Sequence, residues 1–320
     1  MPDCYDIFNG DADGICALHQ LRLAEPREAA LITGVKRDIR LLARLKGVRQ
    51  AELTVLDISL DSNREALEAL LAASCRVFYA DHHFAGEIPA SPLLAAHIDP
   101  APEVCTSLIV DRLLEGRHRA WAVAAAFGDN LHDSAKQAAA PLGLSEQEVA
   151  TLRELGELMN YNGYGQTLAD LHLAPEELYR AVAPHADPLA FCAQSEIPAM
   201  LRQGFHDDLR RAREEQPLLD TAQGRIFRFP GEKWSRRVAG VFSNEKARER
   251  PEAAHALLVD NGDGSFMVSV RAPLIRKQGA DVLCRRFPTG GGRAAAAGIN
   301  ALPHAEIETF RKTFDEVFSP

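Results

Sequence analysis

In the first 130 residues, short β-branched or apolar runs alternate with segments of helical spacing, and this alternation admits few architectures. Residues 5–8 precede a polar loop and a helical stretch at 14–24; residues 29–33 precede 37–45; residues 53–56 precede 63–73; a fourth run follows at 76–79. Strand, helix, strand, helix requires crossovers, so the strands lie mostly parallel in a sheet covered on both faces. Ligands of such sheets sit in the crevice at the carboxyl ends of the strands. With 46% hydrophobic and 25% charged residues the chain is too apolar to be disordered. Its 320 residues suffice for two domains, at roughly 150 residues each.

From about residue 106 to 214 the pattern turns helical, with Leu152, Leu155, Leu158 and Met159 at 3.6-type spacing and Pro184, Pro188 and Pro198 interrupting it. The charged stretch 208–216 closes on Pro217, which predicts a domain boundary between 215 and 216. A second α/β pattern follows: runs at 226–229, 254–259 and 266–271, a hairpin turn Asn261-Gly262-Asp263-Gly264, a helix at 280–286 and a terminal helix from 304. Charge divides along similar lines. Residues 223–320 carry 16 Lys+Arg against 11 Asp+Glu, while residues 1–222 carry 20 against 34. An acidic half suits divalent cations and a basic half an anionic substrate, although a chance imbalance of solvated faces gives the same arithmetic. The overall −9 argues against non-specific binding of long nucleic acid. Six cysteines stand at least 12 positions apart, so no CxxC pair proposes zinc or a dithiol centre. The longest purely apolar run, 120–127, is too short to span a bilayer, and acids at Asp3 and Asp6 stand where a leader would be basic. A cytoplasmic protein with no membrane partner is expected.

The chemistry-bearing residues fall where apolar runs stop. After the first run comes Asn9-Gly10-Asp11-Ala12-Asp13-Gly14, whose carboxylates repel unless a cation lies between them. By itself such a loop also fits a calcium-type loop or an Asp turn. The third run ends in Asp57, the fourth in Asp81-His82-His83, and the apolar stretch 124–127 in Gly128-Asp129. One acid at a strand end is usually a cap; four such endings with a double histidine point to a divalent transition ion held by oxygen and nitrogen. Further on, Gly290-Gly291-Gly292 between Arg271 and Arg293 lets backbone N–H groups approach an anion, where glycines alone would indicate a flexible loop. Asn160-Tyr161-Asn162-Gly163-Tyr164-Gly165 reads as a turn between helices, with a nucleobase wall as the alternative; Thr106 and Ser107 read as a helix cap. His132 and Asp133 read as surface polar residues, with extension of the metal shell as the alternative.

In these residues the sequence resembles the DHH phosphoesterases. Asn9–Gly14 is similar to their first motif, usually HxDxDG, Asp57 to the second, and Gly128-Asp129 to the fourth; Asp81-His82-His83 is the triplet that names the family. The stretches Val268-Ser269-Val270-Arg271 and Thr289-Gly290-Gly291-Gly292-Arg293, the latter followed by Ala295-Ala296-Ala297-Gly298, resemble the DHH-associated substrate-binding domain with its GGGH and AAG. The fold implied is α/β: a parallel-sheet DHH domain with a helical lobe over residues 1–215, and a smaller α/β domain over 216–320. The resemblance implies two divalent cations, manganese most often and magnesium as the alternative. Asp57 would bridge them, Asn9 and Asp11 would belong mainly to one, and Asp13, His82 and Asp129 to the other. Asp81 would orient a histidine and His83 would meet the phosphate, so Asp57, Asp81 and His83 are the expected catalytic residues. Two ions about 3.5–4 Å apart stabilise charge on both sides of an in-line displacement. In the second domain Arg271, Gly290, Gly291, Gly292 and Arg293 would hold a substrate phosphate.

Two positions depart from the family pattern: Asn9 stands in place of a histidine, and Arg293 in place of the GGGH histidine. Arginine clamps phosphate with two parallel hydrogen bonds, so the second change retains anion binding. The expected function is hydrolysis of a short single-stranded oligonucleotide or a nucleotide phosphate, in a cleft between an acidic metal domain and a basic binding domain. A cyclic-dinucleotide phosphodiesterase is the nearest enzymatic alternative. A non-catalytic nucleotide-binding protein with a degenerate metal site is the alternative from another class.

Overall fold

The computed structural model describes residues 3–319, which divide into two compact units, Met1–Gln203 and Gly204–Pro320. The division between them falls inside the helix Ile197–Glu214, which ends in the charged stretch ahead of Pro217.

In the first unit β1 (Cys4–Phe8), β2 (Ala30–Ile32), β3 (Glu52–Leu56), β4 (Arg76–Asp81) and β5 (Leu94–Ile98) form one sheet in the order β2-β1-β3-β4-β5. Every pair is parallel. Successive residues feed opposite faces: Phe8, Leu56 and Ala80 pack under α1 (Ala12–Ala24), while Ile7, Val55 and Tyr79 pack under α2 (Leu60–Ala72) and the 3-10 turn Leu41–Leu45. The segment predicted as a helix at 37–45 forms only that 3-10 turn, and β5 was not predicted. Leu-Ala-Ala-His-Ile has little intrinsic strand preference, and pairing along β4 supplies what propensity does not. Arg22, in the last turn of α1, donates to buried Asp6 of β1 and to Thr54 of β3, each at 2.8 Å, which ties the helix to two strands. The strand order reverses between β1 and β3. That is the switch point at which an open parallel sheet offers its crevice. Hydrogen bonding continues past both strands, with Asn9 N–H donating to Leu56 O at 3.2 Å and Asp57 N–H to Ala80 O at 3.1 Å, so the loops of the crevice leave from fixed positions.

The helical lobe comprises α3 (Thr106–Leu113), α4 (Arg119–Gly128), α5 (His132–Ala139), α6 (Glu146–Gly163), α7 (Pro175–Val182), α8 (Pro188–Gln194) and α9 (Ile197–Glu214). A capping box of Ser145 and Glu148 starts α6. Helices α4 and α6 cross backbone to backbone at Gly156: a Cβ there would stand 1.9 Å from Ala124 O and 2.9 Å from Gly128 N. Gly156→Ala is therefore expected to push the helices apart at a cost of roughly 1–3 kcal/mol. Urea unfolding would register it, and an unchanged midpoint would refute the close crossing.

The second unit holds β6 (Leu219–Asp220), β7 (Gly224–Phe229), β8 (Ala254–Asp260), β9 (Ser265–Arg271), β10 (Gly290–Gly292) and β11 (Ala296–Pro303), ordered β10-β11-β9-β8-β7-β6. Only the β7–β8 pair is parallel, and α10 (Lys233–Glu249) provides its crossover. The predicted Asn261–Gly264 turn joins β8 to β9. On one face Ile226, Leu258, Phe266 and Val268 meet Phe310, Phe314 and Phe318 of α12 (Ile307–Phe318), beside the short α11 (Ala280–Cys284). On the other, Phe227 and Phe229 meet Phe242 of α10. All six cysteines are free, and among the described residues no helix is long and apolar enough to cross a membrane.

Candidate functional site

The acids predicted from the sequence gather at the switch point. Asp11 and Asp13 lie where β1 turns into α1, Asp57 just past β3, Asp81 at the end of β4 with His82 and His83 beyond it, and Asp129 at the C-cap of α4. Asp11, Asp13, Asp57 and Asp81 are each at most 2% exposed. Asp57 has a left-handed backbone (φ 58°), uncommon outside glycine and tolerated best by Asn and Asp. Burial, then the carboxylates of Asp11, Asp13, Asp129 and Asp81, push its carboxyl well above the ordinary value. Asp129 is pushed up to about 6 by burial, against the pull of Lys36 and with the push of Asp13 and Asp11.

The two histidines are oriented from behind. His82 Nδ1 lies 2.9 Å from Val104 O, which fixes the proton on that nitrogen and turns Nε2 to the acids, 3.4 Å from Asp57 Oδ1 and 3.7 Å from Asp129 Oδ2. His83 Nδ1 lies 2.7 Å from Asp81 Oδ1. Burial opposes charge on His83, but the Asp81 hydrogen bond holds it above the ordinary histidine value. Ligand atoms of Asp13, His82 and Asp129 lie within 4.8 Å of one another, as do those of Asp57, His82 and His83. These residues can hold a cation. Both groups use His82, and His82 offers one free nitrogen.

Asp13 has a second attachment. Its carboxylate accepts the N–H groups of Thr106 and Ser107, each at 2.7 Å, and so closes the N-terminus of α3. Thr106 and Ser107, predicted as a cap, are instead the capped residues, and Thr106 Oγ1 also donates to Asp57 Oδ1 at 3.3 Å. Asp11 Oδ1 accepts from Asp13 N and Gly14 N as the N-cap of α1, while Oδ2 accepts from Lys36 Nζ at 2.5 Å. Lys36 Nζ further donates to Asn160 Oδ1 at 2.8 Å and Asp129 Oδ1 at 3.2 Å. Burial opposes its charge, and Asp11 and Asp129 hold it well above the ordinary lysine value.

Solved structures share this arrangement of sheet and lobe. RecJ of Thermus thermophilus in complex with Mn2+ matches 98% of the chain at a TM-score of 0.66 and 15% identity; a manganese-bound RecJ exonuclease does so at 0.57 and 16%. The pGpG-specific phosphodiesterase PggH of Vibrio cholerae also matches 98%, at 0.55 and 12%. The chain has the RecJ-like DHH fold. It spans about half the length of the Thermus RecJ (52%), 89% of the second RecJ and 98% of PggH. No family model matches the sequence, and no curated protein does.

Two further side chains reach this cluster: Lys36, which the sequence reading does not single out, and Asn160, read from the sequence only as part of the tract 160–165. The tract 160–165 is not a turn between helices in its first half: Asn160–Gly163 is the buried last turn of α6, with Asn160 reaching Lys36 and Asn162 pairing with Leu173. Asn9, 4% exposed, donates from Nδ2 to Lys36 O at 3.2 Å, and its buried Oδ1 has no partner. His132 and Asp133 open α5 and join neither ligand group. In the second unit, Gly290–Gly292 is no loop but the edge strand β10 paired with β11, because ladder hydrogen bonds outweigh the entropy glycine loses. Arg293 opens the turn between them, exposed, its guanidinium without a partner among the described residues. Arg271 Nε donates to Asn244 Oδ1 at 2.8 Å, in register with Ala296 at the far end of that turn.

Proposed function

We propose that the chain is a metal-dependent phosphoesterase acting on short oligonucleotides or nucleotide phosphates, with manganese or magnesium as its ion. The observation that carries this is two overlapping groups of ligand atoms at one crevice, Asp13, His82 and Asp129 and Asp57, His82 and His83, with Asp81 paired to His83. A bound divalent ion supplies positive charge for a phosphoryl group and acidifies water. His82 would hold such an ion through Nε2, since Val104 O engages the other nitrogen. His83, oriented by Asp81 Oδ1 at 2.7 Å from its Nδ1, is placed to donate to a phosphate oxygen. The solved neighbours named above as RecJ exonucleases and a pGpG phosphodiesterase act on phosphodiesters, which favours the same bond class here. Phe84, 74% exposed next to His83, offers a ring on which a base can stack.

Chelated protein should leave a linear dinucleotide, a cyclic dinucleotide and a nucleoside bisphosphate intact, and added Mn2+ or Mg2+ should restore cleavage of at least one. Cleavage confined to the cyclic substrate would redirect the assignment to a cyclic-dinucleotide phosphodiesterase. Tight nucleotide binding with no ion-dependent cleavage would leave a binding protein.

Arg293 separates recognition from chemistry. If it clamps a phosphate remote from the scissile bond, Arg293→Ala should lower kcat/KM for a nucleotide by about ten-fold or more, or roughly 1.5–3 kcal/mol. Turnover of a small aryl phosphodiester should hardly change. Equal losses on both substrates would remove Arg293 from substrate recognition.

A further inference from the structure

We propose that the Lys36 ammonium takes the place of one of the two divalent ions of a binuclear DHH centre, so that the chain binds a single divalent ion among Asp13, Asp57, His82 and Asp129. This rests on the reading of the chain as a metal-dependent phosphoesterase and changes its ion count.

The ligand set expected for the first ion is Asn9, Asp11 and the bridging Asp57. Asp11 is engaged through both oxygens: Oδ1 takes two N–H groups of α1, and Oδ2 takes the Lys36 ammonium, a cation where the first ion would need the same oxygen. Asp11 belongs to neither group of converging ligand atoms. An ammonium carries three N–H donors, and those of Lys36 are matched by three acceptors, Asp11 Oδ2, Asn160 Oδ1 and Asp129 Oδ1. The ring of Tyr164 adds a face 5.7 Å from Nζ.

The backbone is built to keep the side chain there. Lys36 N–H donates to Gly163 O at 2.8 Å, and Lys36 O accepts from Asn9 Nδ2 at 3.2 Å. Glycine at 163 eases the packing beside this contact, since a Cβ there would stand 3.1 Å from Asp11 Cβ, closer than an ordinary contact. Asn9 and Lys36 are thus one device: where the histidine ligand would stand, Asn9 anchors the residue whose charge substitutes for the ion. The free Asn9 Oδ1 is one neutral oxygen and does not make a cation site without Asp11. An ammonium neutralises one charge rather than two and has no exchangeable ligand positions, so Lys36 holds Asp11 and Asp129 in place and leaves the ligand chemistry to the remaining ion.

Counting ions in the full-length protein tests this without reference to turnover. Chelated protein would be titrated with Mn2+ by calorimetry, with the bound metal counted after gel filtration and its electron paramagnetic resonance spectrum recorded. One Mn2+ per chain with an isolated six-line spectrum is expected, and Lys36→Arg should keep that count. Lys36→Met combined with Asn9→His should bind a second Mn2+, with spin coupling between the pair. Two coupled ions in the unaltered protein would overturn the substitution and leave the phosphoesterase reading standing. No ion in any form would overturn the phosphoesterase reading itself. A single ion in the folded double variant, verified by circular dichroism, would show that Lys36 is not what excludes the second. Should that variant fail to fold, the counts for the unaltered protein and Lys36→Arg still decide.

Discussion

Asp57→Asn is expected to abolish ion-stimulated hydrolysis, by about a thousandfold or more, while making the metal-free protein more stable. The two effects have one cause. Asp57 is 2% exposed amid other carboxylates, which suits a cation and penalises its absence. Its carboxyl is raised above the ordinary 3.8, so the stability it contributes is present below that pH and is lost as pH rises through the raised value. At neutral pH keeping this carboxyl buried is a cost to the metal-free fold, whether as charge or as proton uptake, and asparagine removes it while tolerating the left-handed backbone. The gap between variant and unaltered protein should widen as pH rises and close at acid pH. Urea unfolding in chelator, at several pH values, gives the comparison. A variant less stable than the original at neutral pH, or one that still hydrolyses, would overturn this account of Asp57.

The residues legible in the sequence are those that regular structure brings to the crevice. Asp57 and Asp81 end apolar runs, and parallel strands carry such ends to one edge whatever the details of packing. Asp129 was legible for a different reason. The run before it is a buried helix rather than a strand, and both deliver their last residue to the site. Lys36 was not legible because it lies in an irregular segment after β2, and its partners are 25, 93 and 124 positions away. No periodicity encodes such contacts. The available signal was a basic residue in the loop after the strand beside β1, together with a missing histidine at position 9. Helix α10 was missed because its length is mostly polar, and its buried stripe of Trp234, Val238 and Phe242 is narrow.

Asp13→Ala should reduce hydrolysis as severely as Asp57→Asn, yet shift stability in the opposite direction. Both acids lie in one cluster and both are buried, so a reading based on acidity alone predicts that removing either relieves the same repulsion. Hydrogen bonding separates them. Asp13 accepts the first-turn N–H groups of Thr106 and Ser107 at 2.7 Å each, and Ser107 Oγ donates to Asp13 O at 2.9 Å. Alanine leaves two buried donors unsatisfied at a helix N-terminus whose dipole favoured the carboxylate. Charge-assisted bonds of this kind contribute about 1.5–3 kcal/mol each, so a net loss of roughly 3 kcal/mol is expected after the relieved repulsion is set against it. Asp57 accepts no helix N–H among the described residues, only the longer Thr106 hydroxyl bond at 3.3 Å from that helix, and repulsion governs its sign. Chelated Asp13→Ala should therefore unfold at lower urea than the unaltered protein, and chelated Asp57→Asn at higher urea. If Asp13→Ala also raised the midpoint, its contacts with α3 would carry no net weight, and the residue would be only one more repelled carboxylate.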